Sequence, residues 1–290
     1  MYKNIRELLD FCQREKIPLW KAIVANEKKL SDTTEEKIFE TMAKRYEIMK
    51  ASAKKRLIDS PYPSETLING VAKGQYDHAQ NGGLCGGFFN KVMAYALSCS
   101  EVNASMGKIC AAPTAGSCGI LPGVMVGVSE ERHLEDMVVY QGLITAGGIG
   151  AVITQNATVS GAEGGCQAEC GVAAAMAAAA VTEMLGGSPQ QSATACSLAL
   201  INVMGLVCDP VAGLVQIPCA QRNASQAVNA LISADMALAG MTSIIPTDEV
   251  IEAMYQVGKM LPGALKETAL GGIAASATGK KIAREIFKDN

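Results

Sequence analysis

Val172-Ala173-Ala174-Ala175-Met176-Ala177-Ala178-Ala179-Ala180-Val181 is a run of small apolar side chains bracketed by Glu169 and Glu183. A membrane span needs about 20 apolar residues, so the run is too short to cross a bilayer. It reads as a helix buried inside a protein core. The rest of the chain agrees. Of its 290 residues 49% are hydrophobic but only 4% aromatic, so the apolar content is mostly Ala, Val, Leu, Ile and Met. Side chains this small let helices approach closely. β-branched runs with a period of two are scarce, and the expected fold class is all-α.

Helical punctuation works outward from that run. Gly186-Gly187 closes the alanine helix, and Ser188-Pro189 opens the next with an N-cap and a proline in its first turn. Pro246-Thr247-Asp248-Glu249 starts another. Helices are expected near 86–100, 131–147, 167–185, 188–205, 220–240, 247–259 and 275–288. Two glycine-dense regions, 81–87 and 113–127, resist assignment. The uncharged stretch 137–162 carries Gln141, Thr145, Thr154, Gln155, Asn156 and five glycines, which makes it a poor membrane span.

Residues 1–60 differ from the rest of the chain. They hold many of the charges, and Ile38, Met42, Tyr46, Met49 and Ala53 recur at helical spacing. Asp32 with Glu35 forms a candidate capping box, and Pro61 and Pro63 end the section. The expected division is an N-terminal helical arm, 1–60, packed on the core or on a partner chain, and a catalytic domain, 61–290. No repeat or low-complexity linker interrupts the second part.

Net charge is −3, from 25 basic and 28 acidic residues. That balance recommends neither a nucleic-acid nor an anionic-membrane partner. The opening Met1-Tyr2-Lys3-Asn4-Ile5-Arg6 reads as an amphipathic helix and not as a signal peptide. A cytoplasmic location is therefore expected. There the ten cysteines are thiols, metal ligands or core fillers rather than disulfides.

Three of these cysteines sit in polar, Gly/Pro-rich turns. Cys166 ends Ser160-Gly161-Ala162-Glu163-Gly164-Gly165, Cys208 precedes Asp209-Pro210, and Cys219 follows Gln216-Ile217-Pro218. Loop cysteines converge more easily than helix-face ones. Three thiolates without a fourth suggest an iron–sulfur cluster with one open iron, a Lewis acid able to bind substrate. The spacing does not match the short CxxC patterns of zinc fingers or ferredoxins, so three loop cysteines that never meet is the plain alternative. Cys12, Cys99, Cys170 and Cys196 read as core, while Cys85, Cys110 and Cys118 stay open.

Two polar sets accompany the thiols. Asn103-Ala104-Ser105-Met106-Gly107-Lys108 and Pro113-Thr114-Ala115-Gly116-Ser117 place small hydroxyl residues between glycines. Exposed backbone N–H groups there form a candidate anion cradle, with Asn103, Ser105, Thr114 and Ser117 adding hydrogen bonds to a substrate carboxylate. A close-packed turn is the alternative. Glu163, Gln167, Glu169, Asp209, Arg222 and Asn223 lie beside the thiols as candidates for proton transfer or orientation. Of the two histidines, His78 lies in a polar Gly-rich stretch and His133 at an expected helix start. No phosphate-binding loop or dinucleotide fingerprint is present.

Five segments together carry a resemblance: NASMGKICAAPTAGSCGILPG at 103–123, SGAEGGCQAECGVAAAMAAA at 160–179, TEMLGGSPQQ at 182–191, GLVCDPVAGLVQIPCAQRNA at 205–224 and MYQVGKML at 254–261. The chain resembles the catalytic domain of iron–sulfur-dependent L-serine dehydratase (L-serine ammonia-lyase), in particular the alpha chain of the two-chain form. The resemblance covers roughly 60–275. It implies a mostly helical fold and a [4Fe–4S] cluster on Cys166, Cys208 and Cys219. It also implies deamination of L-serine to pyruvate and ammonia without pyridoxal phosphate. Glu163, Lys108 or a residue of a separate beta chain then stands as the base.

Two departures qualify this resemblance. Some single-chain relatives end in a cysteine that can occupy the open iron, whereas this sequence ends Lys288-Asp289-Asn290. The Ser-Ser-His-Thr segment of their additional domain is also missing. A beta chain, in a hetero-oligomer, is expected to supply that segment, with a histidine among its candidate contributions. Three other readings stay open: a lyase for L-threonine, a lyase for L-cysteine, and a helical scaffold with a closed structural or redox cluster. The last needs a fourth ligand such as Cys118 or Cys170.

Overall fold

A computed structural model describes residues 2–58 and 65–287. The alanine run forms the centre of helix α9, Val172–Met184, in which every residue except Glu183 is buried. Helices α6 (Ile120–Glu131), α7 (Asp136–Asn156), α10 (Pro189–Ile201) and α11 (Cys219–Leu238) surround it. A helix apolar on all sides has to be enclosed in this way, and methyl-sized side chains let the four neighbours come close. The described residues contain helices, turns and one isolated backbone bridge, Cys208 with Lys266, but no strand. The fold is all-α.

Helix α5 (Gly86–Ala104) pairs with α4 (Val71–Gln80) and packs on α6 and α11. Its contact with α6 depends on glycines four residues apart. A β-carbon on Gly119 would overlap the Ala96 carbonyl oxygen, one on Gly123 would stand 3.0 Å from Ala96 N, and one on Gly127 2.5 Å from the Val92 side chain. The glycine-dense region that resisted assignment thus holds most of a helix. Likewise α7 begins and ends later than expected, running through Gly147-Gly148-Gly150, because Gly148 faces Ile23 and Gly150 faces Met176. It is the one helix among the described residues long and apolar enough to span a bilayer, and 61% of that window is buried inside the protein.

Helices α1 (Ile5–Glu15), α2 (Leu19–Ser31) and α3 (Glu35–Lys55) join the same hydrophobic core. Asp248 of α12 (Thr247–Met260) accepts from Ile5 N and Arg6 N, and Glu183 of α9 accepts from Leu19 N at 2.7 Å. Each carboxylate satisfies N–H groups that a helix start leaves open. Ile38, Tyr46, Met49 and Ala53 are buried as the helical stripe required, with Met42 packed at its margin. The expected capping box is not formed. Thr34 caps α3, accepting from Lys37 N, while Asp32 ends α2 in a left-handed conformation. Pro61, Pro63 and the last three residues lie outside the described residues.

Candidate active site

Four connections meet at one end of the bundle: 105–119, 157–171, 202–218 and 261–276. Three buried polar side chains lock them together. Gln167 donates to the carbonyls of Gly164 and Met254 and accepts from Gly205 N at 2.8 Å. Asn223 donates to the carbonyls of Gly116 and Cys219 and accepts from Gly119 N. Asp209 accepts from Ile273 N at 2.7 Å, and its other oxygen stands 2.8 Å from Arg222 Nη2 as an ion pair. Arg222 also donates to the Val207 carbonyl at 2.8 Å. Buried polar groups satisfied on several sides fix loops firmly, because losing any partner leaves a desolvated group behind.

These locks hold the three loop cysteines. Cys166 comes after the one-turn helix α8 (Gly161–Gly164) and Gly165, whose φ of 77° requires glycine. It leads into a single π-helical turn, Gln167–Gly171. Cys208 is held between its own N–H, donated to Leu265 O at 2.9 Å, and its carbonyl, which accepts from Glu267 N. Cys219 opens α11. All three are buried. They also lie close enough to act on one another electrostatically. Burial first, and then the charge of Cys166, pushes Cys208 well above the ordinary thiol range and Cys219 up to about 12. Cys166 moves the other way, lowered by a hydrogen bond from Cys170 and by the Arg222 guanidinium. Its partner Cys170 moves up, through the hydrogen bond to Cys166 and through burial.

Among the described residues no three His, Cys, Asp or Glu side chains are placed to share a single metal ion. A structural zinc brings every ligand to about 2.3 Å of one point. A cluster asks for less crowding, because each thiolate binds a different iron. The donor set here is three buried sulfurs with no histidine beside them. Soft thiolates of this kind suit iron–sulfur clusters, and the three residues fit that group in their chemistry.

The cradle abuts the thiols through Glu169. Thr114 Oγ1 donates to Glu169 Oε1 at 2.5 Å and lies 3.1 Å from Ser117 Oγ. Asn103 Nδ2 donates to Ala115 O, bracing the same turn. A β-carbon on Gly161 would meet Cys208 Sγ at 3.0 Å, Glu169 Oε2 at 3.2 Å and Glu267 Oε2 at 3.4 Å. A thiol and two carboxylates thus crowd the same side of Gly161. Burial raises the Glu169 pKa, which the Thr114 hydroxyl partly offsets.

The structure therefore sets Thr114 and Ser117 beside Glu169, with Asn103 on the same turn, and places other candidates elsewhere. Ser105 is buried but turned to the Glu101 carbonyl and to Arg56 Nη2. Glu163 is exposed and accepts from Thr158 at 2.5 Å. Lys108 is exposed and makes no ion pair among the described residues. His133 lies in the turn between α6 and α7, exposed and with a positive φ. In the sequence Glu169 is one of six polar residues beside the thiols, marked only by its place one helical turn after Cys166. Glu267 carried no local signal, and only the fold delivers it.

The profile of the family described as serine dehydratase alpha chain matches residues 14–274. The chain is 51% identical to the L-serine dehydratase alpha chain of Peptoniphilus asaccharolyticus over 290 residues, spanning 100% of this chain and 99% of that protein. It is 45% identical over 289 residues to the probable L-serine dehydratase alpha chain of Bacillus subtilis (strain 168), spanning 99% and 96%. L-serine dehydratase TdcG of Escherichia coli (strain K12) is 47% identical over 182 residues, 62% of this chain and 40% of that protein.

Proposed function

The chain belongs to the serine dehydratase alpha-chain family, and from that premise we propose that it is the alpha subunit of an L-serine dehydratase, converting L-serine to pyruvate and ammonia. The observation that carries this reading is 51% identity along the whole chain to a protein named for that activity. The geometry supports it, since the three buried thiols and the Thr114–Ser117 turn all lie near Glu169.

Cys166, Cys208 and Cys219 would hold a [4Fe–4S] cluster. When bound, such a cluster supplies a Lewis-acidic iron that weakens the substrate's C–O bond, a task that needs no pyridoxal phosphate. The chain's own residues supply orientation. The N–H groups of the 114–117 turn, with Asn103 and Ser117, hold the carboxylate of the amino acid, while Thr114 donates its only hydroxyl proton to Glu169 and Ser105 stays bonded within the end of α5 and to Arg56. The Asp209–Arg222 pair keeps the Cys208 loop against the start of α11. The relatives' designation as alpha chains implies a beta chain, and we assign it as the partner that completes the site in a cytoplasmic hetero-oligomer.

Pyruvate release tests the reading. The chain is co-purified with its beta chain under anoxic conditions and supplied with L-serine, L-threonine or L-cysteine, beside a Cys208→Ser variant. Turnover of L-serine in the wild type and its loss in the variant are expected. A cluster-loaded complex that leaves L-serine untouched would overturn the assignment, and preference for either other amino acid would replace the substrate.

A further inference from the structure

Glu169 is placed as few buried carboxylates are. Asp248 and Glu183 sit at helix starts, and Asp209 pairs with Arg222. Glu169 does neither: no Lys or Arg among the described residues forms an ion pair with it, and its carboxylate caps no helix. Taking a carboxylate out of water without a cation is costly, so a role in the fold alone accounts poorly for it. Its Oε1 is held by the Thr114 hydroxyl at 2.5 Å. Its Oε2 accepts no hydrogen bond among the described residues and stands with Cys208 Sγ on one side of Gly161, 3.2 and 3.0 Å from where a β-carbon would lie. Any side chain on Gly116 would overlap this carboxylate, so the cradle turn leaves room for it.

Resting on the serine dehydratase reading, we propose that Glu169 is the base that removes the Cα proton of the substrate. One oxygen is fixed by Thr114, and the other takes no hydrogen bond and lies on the Cys208 side of Gly161, the arrangement a positioned base requires. Glu163 and Lys108, both exposed, are not so held. In the step, Glu169 Oε2 takes the proton from Cα. The Cα–H electron pair becomes the Cα=Cβ double bond, and the Cβ–O bond breaks with its pair leaving on oxygen. Protonation of that oxygen, by Glu169 or by solvent, gives water. The other product, 2-aminoacrylate, tautomerises to an imine, and one water hydrolyses it to pyruvate and ammonia.

The test uses the cluster-loaded alpha–beta complex with Glu169→Gln and Glu169→Asp. The Gln side chain keeps the bond from Thr114 but takes up no proton. We expect kcat to fall at least about 100-fold in Glu169→Gln, the scale of a lost general base. Iron per chain, and the change that L-serine causes in the cluster's Mössbauer spectrum, stay as in the wild type. Glu169→Asp recovers part of the rate. If Gln alone loses iron, Asp carries the comparison, and a fall in kcat of about tenfold or more at unchanged KM supports the assignment.

Three results would overturn it: kcat close to wild type with iron retained, an effect confined to KM, or loss of iron in both variants. The second would mean that the carboxylate only binds substrate, and the third that it positions the cluster. Wild-type complex inert to L-serine would remove the functional reading itself, whereas an active wild type with an equally active Gln variant removes only this assignment.

Discussion

Glu183 shows how a single buried carboxylate can join two parts of the molecule. It sits near the end of α9, accepts from Leu19 N and Trp20 N at the start of α2, and takes the Thr145 hydroxyl of α7. Burial raises its pKa, and these hydrogen bonds only partly offset that rise. The folded protein therefore binds this proton more tightly than the unfolded chain, whose glutamates titrate near about 4.3. The stabilisation is fully present below that value and is lost as pH rises through the higher folded value. Glu183→Gln keeps an acceptor for the helix start and removes the titration. The thermal midpoint of the wild type is expected to slope downward just above the unfolded carboxylate range, and that of the variant to lose this slope. An unchanged slope in the variant would show that another group sets it.

Elements repeat the lesson with backbone in place of charge. Helix α6 lay hidden in the sequence because glycine lowers helix propensity by about 1 kcal/mol per residue. The same glycines, four apart, are what allow α6 to lie against the backbone of α5. Packing outweighs propensity there, and the four-residue spacing was the available signal. Gly147-Gly148 misled in the same way at α7, where Gly148 admits Ile23 of α2. By contrast the alanine helix and the Ser188-Pro189 start were legible, because burial and capping are local properties; Ser188 forms a full capping box with Gln191. Gly119→Ala is expected to destabilise the protein by about 1–3 kcal/mol, the usual cost of overpacking, read as a lowered midpoint in thermal or denaturant unfolding. An unchanged midpoint would show that α5 and α6 can separate freely.

At the scale of the molecule, helices running alternately up and down bring every second connection to the same end. That alternation brings Cys166 to the connection that carries Cys208 and Cys219, 42 and 53 residues further on. Their loop contexts were readable, since Gly and Pro beside each thiol mark turns. Their convergence was not, because it depends on Gln167, Asn223 and the Asp209–Arg222 pair, whose partners lie 38 to 107 residues away or across a turn of the chain. Glu169 and Glu267 meet for the same reason, through elements the sequence does not set side by side.

The central claim is that Cys166, Cys208 and Cys219 act as one ligand set. Iron bound per chain, measured on anoxically purified protein with each cysteine changed to serine in turn, tests it most directly. The account predicts about four irons per wild-type chain and a marked loss in all three variants, with Cys170→Ser retaining its iron. Full iron content in any one of the three would contradict it.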